Sequence, residues 1–139
     1  MKKILAILAC LALALPAATG QTAQGTQKIN KKNLVVKEWN TNGKGAAKTL
    51  DNVTTWSADG KKIEEIEYDS DGRQKWRKRF EWGENGRLAR ELVYDEHNKL
   101  DNYKTFEYNE FGKKKIQYTY SAKGKLKGTK IYEYITQDE

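Results

Sequence analysis

The chain has 139 residues, 32% of them charged and 37% hydrophobic, with a formal net charge of +7. That length limits it to one ordinary domain. One cysteine and one histidine exclude an intrachain disulfide and a multi-histidine metal site.

The first 20 residues read as a signal peptide. Lys2 and Lys3 precede an apolar run, Ile4 to Leu15, that ends at Pro16-Ala-Ala-Thr-Gly20-Gln21. This is a basic segment, a short apolar segment and a small-residue cleavage site, with the cut expected after Gly20. The run is too short to span a bilayer. The rival reading makes Ile7-Leu-Ala-Cys10 a lipoprotein box, which shortens the apolar segment and leaves more apolar sequence behind it. Without residues 1–20 the chain keeps 24 basic and 19 acidic residues, a net charge of +5, and no cysteine. The expected location is periplasmic or secreted. A modest positive charge suits anionic surfaces such as acidic glycans or lipid headgroups, and export argues against nucleic acid. Solubility and cross-strand pairing explain the same charge more simply.

Residues 21–32 are polar and aperiodic, a flexible leader. Residues 33–136 are the single domain. Asn33 to Trp39 is a short β-prone run, 43–48 is irregular, and Leu50 to Trp56 resumes strand character. From Trp56 onward an aromatic residue is followed by a turn and then a basic residue: Trp56…Gly60-Lys61, Tyr68…Gly72-Arg73, Trp82…Gly86-Arg87, Tyr94…Asn98-Lys99, Tyr108…Gly112-Lys113 and Tyr120…Gly124-Lys125. The aromatic spacing alternates 12, 14, 12, 14, 12, and Tyr134 follows 14 later, so the repeat is 26 residues. The spacing predicts strands over 61–68, 73–82, 87–94, 99–108, 113–120 and 125–134, with no helix.

Parity sets the turn type. A three-residue loop, Ser70-Asp71-Gly72, lets Asp69 pair with Arg73. This is a type I turn with a G1 bulge, and it needs a left-handed residue at Gly72. Gly60, Gly86, Gly112 and Gly124 take the same place, and Asn98 is the best non-glycine substitute. Carried along the strands, this register puts Ile66 opposite Trp76. It predicts the charge pairs Lys61–Glu81, Glu65–Arg77, Glu67–Lys75, Arg79–Glu91, Arg87–Glu107, Glu107–Lys115 and Lys113–Glu133. It also brings Arg90 and Lys104 together on the apolar side, its one discord. On that side it gathers Trp56, Tyr68, Trp76, Phe80, Trp82, Tyr94, Phe106, Tyr108, Tyr118, Tyr120, Tyr132 and Tyr134, with Ile66, Leu88, Leu92, Leu100, Ile116 and Leu126. A one-sided antiparallel sheet must cover its apolar face. The expected fold is therefore all-β: a meander of seven to eight strands in a strongly curled sheet, small barrel or half-barrel. The alternative is a flatter sheet and a homodimer through the aromatic face.

Tyr68-Asp69-Ser-Asp-Gly72-Arg73 and Tyr94-Asp95-Glu-His-Asn98-Lys99-Leu100 resemble the YD repeat of Rhs-type bacterial surface and toxin proteins, Tyr-Asp-x-x-Gly-Arg-Leu. The other turns keep the aromatic residue but carry Ser, Gly or Asn in place of the Asp. The resemblance covers roughly residues 56–134 and implies exported β-hairpin repeats. The chain is too short for the β cocoon of long family members and shows no toxin segment. It is also similar to the small exported β-repeat proteins of Bacteroides-type bacteria.

His97 sits in a turn where other repeats carry Asp, Asn, Phe or Lys, so it reads as an exchangeable loop residue. Asp69-Ser-Asp71-Gly72 begins like a calcium loop, but Phe80 stands where the twelfth-position acid belongs. Glu64 and Glu65 point to opposite faces of a strand. No catalytic residue, metal site or cofactor is expected. The aromatic face is the remaining signal: Trp76, Trp82 and Tyr94, with Arg90 and Lys104 beside them, are the candidate ligand-binding residues. The competing reading is that the rings are only the core. The expected function is a non-enzymatic exported binding module for a cell-envelope glycan or a protein; the alternative is a self-associating structural protein.

Overall fold

The computed structural model describes residues 28–44 and 47–137; the expected signal peptide lies outside them. Eight strands follow one another: β1 (Val35–Asn40), β2 (Thr49–Trp56), β3 (Lys62–Tyr68), β4 (Gln74–Trp82), β5 (Leu88–Tyr94), β6 (Leu100–Tyr108), β7 (Lys114–Ser121) and β8 (Leu126–Ile131). They form one antiparallel sheet in sequence order. No helix occurs among the described residues. The six strands expected after Trp56 are all present, the last ending at Ile131 rather than 134.

The hairpin loops have the expected chemistry. At β3–β4 the Asp69 amide donates to the Arg73 carbonyl at 2.8 Å, and the Gly72 amide donates to the Asp69 carbonyl at 3.0 Å. Gly72 has φ +77° and Gly86 +74°, and Asn98 reaches +60°. The Asp of the YD pair has a local task. Asp69 Oδ1 accepts from the amides of Asp71 and Arg73, both at 2.9 Å, and Asp95 Oδ1 does the same for His97 and Lys99. Asn109 repeats the arrangement with Phe111 and Lys113. In these three loops a short side-chain oxygen thus takes up amides that the backbone bonds leave free.

Two residues beyond each loop the expected register fails. Tyr68 lies opposite Gln74 as predicted, but Glu67, not Ile66, lies opposite Trp76, leaving Lys75 as an extra residue. The same slip occurs in every other hairpin, so that Asp51, Ile63, Ala89, Asp101, Lys115 and Lys127 are the inserted residues. A second bulge per hairpin shifts the pairing by one, and one step exchanges the faces.

The aromatic face is therefore split. Arg77 pairs with Tyr94, so Tyr94 shares a face with Arg77 and Trp76 projects from the other. One face carries Trp56, Trp76, Phe80, Trp82, Phe106 and Tyr108 with Leu88. The other carries Tyr68, Tyr94, Tyr103, Tyr118 and Tyr120 with Ile66, Leu92, Leu100, Ile116 and Leu126. The discord of Arg90 with Lys104 disappears. Arg90 lies opposite Thr105 and forks Glu81 at 2.7 and 3.1 Å, while Lys104 lies opposite Glu91 on the other face, 3.4 Å from its carboxylate. Of the seven expected charge pairs, Glu67–Lys75 forms at 2.6 Å; Arg77 bridges Glu64 at 3.4 Å instead of Glu65.

This division explains why the sheet neither closes nor curls strongly, contrary to the expected barrel. Each strand touches only its sequence neighbours, and β1 does not meet β8. With rings and charges interleaved on both sides, neither face is a continuous apolar surface that water would force under cover. Leu92 and Thr54, 9% and 8% exposed, are the most enclosed side chains. Leu92 gains its cover laterally, between Arg79 and Tyr103, and Tyr103 in turn stacks on Tyr120 at 5.0 Å. Cohesion comes from cross-strand pairs, roughly 0.2–1 kcal/mol each, summed along the sheet.

Candidate functional site

A meander places alternate loops at the same end of the sheet. The loops Ser57–Gly60, Gly83–Gly86 and Asn109–Gly112 therefore line one rim, and Trp56, Trp82 and Tyr108 close the strands that enter them. Tyr134 continues the row 26 residues after Tyr108.

The polar atoms of these rings are tied to the backbone. Trp82 Nε1 donates to the Lys62 carbonyl at 2.8 Å, Tyr108 Oη to that of Leu88 at 2.6 Å, and Tyr134 Oη to that of Lys114 at 2.8 Å. Each acceptor lies 20 residues before its donor. Burial raises the Tyr108 phenol above its ordinary pKa, and the nearby Arg87 charge partly offsets this.

A basic residue accompanies each ring. Lys31 lies 5.8 Å from the Trp56 ring, Lys61 5.2 Å from Trp82 and Arg87 5.6 Å from Tyr108. Glycine makes room for these cations: a Cβ on Gly86 would stand 3.1 Å from Lys61 Nζ, and one on Gly112 would stand 3.4 Å from an Arg87 nitrogen. Behind the rim, Lys62 covers Phe80 at 5.0 Å and Lys114 covers Phe106 at 4.3 Å. At exposed sites such contacts are worth about 0.5–1 kcal/mol each.

Three open depressions follow. The first, about 540 Å³, is lined at the rim by Trp82, Arg87, Leu88, Tyr108, Lys113, Lys114 and Tyr134, together with Gly86 and Gly112. A second, about 530 Å³, shares Arg87, Leu88 and Tyr108 and adds Glu84 and Phe106. The third, about 520 Å³, lies in the middle of one face among Lys78, Val93, Asn102, Lys104 and Lys127.

The five candidate residues do not form one patch. Trp76 and Lys104 lie on one face, the first under Lys78 at 4.5 Å. Trp82 shares that face but stands at the rim. Tyr94 and Arg90 occupy the opposite face, Tyr94 beneath Arg77 at 4.5 Å. The residues missed were Arg87, Tyr108, Lys113 and Tyr134; the 26-residue beat that contains all four was their signal. His97 is exposed and holds its turn through its backbone amide. Among the described residues no three His, Cys, Asp or Glu side chains are placed to share a metal ion, and no helix is long and apolar enough to cross a membrane.

No protein-family model matches the chain. No curated protein matches it, and no solved structure does. The fold defines a single-layer antiparallel β-meander built from a 26-residue double hairpin.

Proposed function

We propose that the chain is an exported, non-enzymatic bacterial envelope protein of YD-repeat type that binds a glycan or a protein on its aromatic and basic surface. One observation carries this reading. Trp82 and Tyr134 are 38% and 55% exposed, yet their polar atoms are already bonded to main-chain carbonyls. Their rings are held in fixed orientation while remaining partly exposed, so a ligand meets a surface whose ordering cost is already met. Stacked rings beside cations suit sugar rings or extended peptide. The test is tryptophan fluorescence of the full chain against envelope glycans, with pull-down from envelope extracts. A saturable change or a specifically retained partner is expected; silence in both, with substrate turnover found instead, would sink the reading.

A second reading is self-association. All six residues of β8 are exposed, with Leu126 at 50% and Ile131 at 70%, and its outer edge pairs with no strand among the described residues. Such an edge is a template for another strand. Light scattering over a dilution series decides it: a monomer at every concentration removes this reading.

A further inference from the structure

The rim of the sheet repeats at a fixed pitch. Trp82, Tyr108 and Tyr134 each stand two strands from the next, about 9.5 Å at ordinary strand separation. Each ring is oriented by the same bond to a carbonyl 20 residues earlier. Between consecutive rings stands one basic residue of the intervening loop, Arg87 and then Lys113. The depression they line contains no carboxylate. Some cations elsewhere on the sheet are neutralised locally, as in Arg90–Glu81 and Lys104–Glu91. Among the described residues neither Arg87 nor Lys113 has a carboxylate within 4.0 Å.

Resting on the binding-module reading, the geometry points to an acidic polysaccharide with one carboxylate per disaccharide, laid along this rim. The C–H face of a sugar stacks on an aromatic ring, while the carboxylate of a uronic acid projects from the sugar edge. An extended polysaccharide advances by about one disaccharide between rings two strands apart. One stacked sugar and one carboxylate then fall on each ring and each unpaired cation. Arg87 presents a planar fork that matches a carboxylate. Lys114 also lines the depression but is turned over the Phe106 ring at 4.3 Å, so Arg87 and Lys113 are the cations left between consecutive rings, a spacing that fits an alternating uronate chain better than a densely sulfated one.

The test uses the full chain and three probes in affinity electrophoresis: hyaluronan as an alternating uronate polymer, dextran sulfate, and a neutral β-glucan. Hyaluronan retardation is expected, with at least about tenfold loss of affinity in the Arg87→Gln/Lys113→Gln double variant. Lys113→Gln alone, at an exposed loop position, is expected to lose several-fold without altering the circular dichroism. Lys127→Gln, in the central depression, should change affinity less than about twofold. Equal binding of all three probes, or tighter binding of dextran sulfate, overturns the assignment. Hyaluronan binding that survives both rim variants overturns the site but leaves the binding module standing. No retardation by any probe overturns the inference, and envelope pull-down with the same chain then decides whether the module reading falls with it.

Discussion

The phenol of Tyr108 donates a 2.6 Å hydrogen bond to the backbone carbonyl of Leu88, two strands' worth of chain earlier. Trp82 with Lys62 and Tyr134 with Lys114 repeat that bond at the same separation. Replacing Tyr108 by Phe keeps the ring and removes the donor. The expected cost is about 0.5–1.5 kcal/mol, read as a lower urea midpoint with an unchanged slope. A midpoint equal to wild type would show that the bond adds nothing beyond water.

The same phenol makes stability fall at alkaline pH. Burial raises its pKa above that of an ordinary tyrosine, so its neutral form is favoured in the fold. The contribution is fully present below the unfolded value and is lost as pH rises through the folded one. Tyr118 acts in the same direction, chiefly because it donates to Glu107 at 2.9 Å. Urea midpoints measured on either side of the tyrosine range should drop for wild type and drop less for Tyr108→Phe. An identical alkaline loss in the variant would contradict this.

Asp95 works in acid. Its carboxylate accepts from the amides of Lys99 and His97, and the Lys99 bond is the largest cause of its lowered pKa. That stability is present above the unfolded value and fades as pH falls through the folded one. Asp95→Ala should lower the thermal midpoint at neutral pH and lose this disadvantage in acid. Asp95→Asn should lose less, because Asn109 already serves the equivalent turn.

Gly72 and Gly86 separate backbone strain from crowding. A Cβ on Gly72 would meet nothing, so Gly72→Ala should cost only the left-handed penalty, roughly 1–2 kcal/mol. Gly86→Ala should cost somewhat more, since it also displaces the Lys61 ammonium. Asn98→Gly, at φ +60°, should leave stability within a few tenths of a kcal/mol. Chemical denaturation checks all three, and equal values for Gly72→Ala and wild type would mean that the turn is not held as described.

Deleting Ala89 tests the second bulge. Without the inserted residue, Leu88 and Arg90 become neighbours opposite Trp82 and Glu81 in a regular ladder, so Arg90 and Glu91 keep their faces and their bridges to Glu81 and Lys104. A change in stability of no more than about 1 kcal/mol is expected, read from urea midpoints. Cross-strand amide contacts between Phe80 and Glu91 should persist in the NMR spectrum. Their loss would show that the pairing depends on the insertion.

From the residues alone one could read the strands, the loops and their left-handed positions. A turn is decided within four or five consecutive residues: Gly72 supplies the positive φ, and the Asp69 carboxylate closes the loop on the amides that follow it. The 26-residue beat likewise held the rim, because Trp82, Tyr108 and Tyr134 recur at positions with equivalent partners. The second bulge was not legible. Its inserted residues are Asp51, Ile63, Lys75, Ala89, Asp101, Lys115 and Lys127, and no side-chain chemistry unites them. The insertion is selected by strands packed side by side, where Glu91 meets Lys104 and Glu81 meets Arg90. The clash of Arg90 with Lys104 in the simpler register was its only trace. Which face each ring takes, and with it whether the sheet must close or can stand open in water, is a sum of many small cross-strand energies, and those exist only once neighbouring strands are in place.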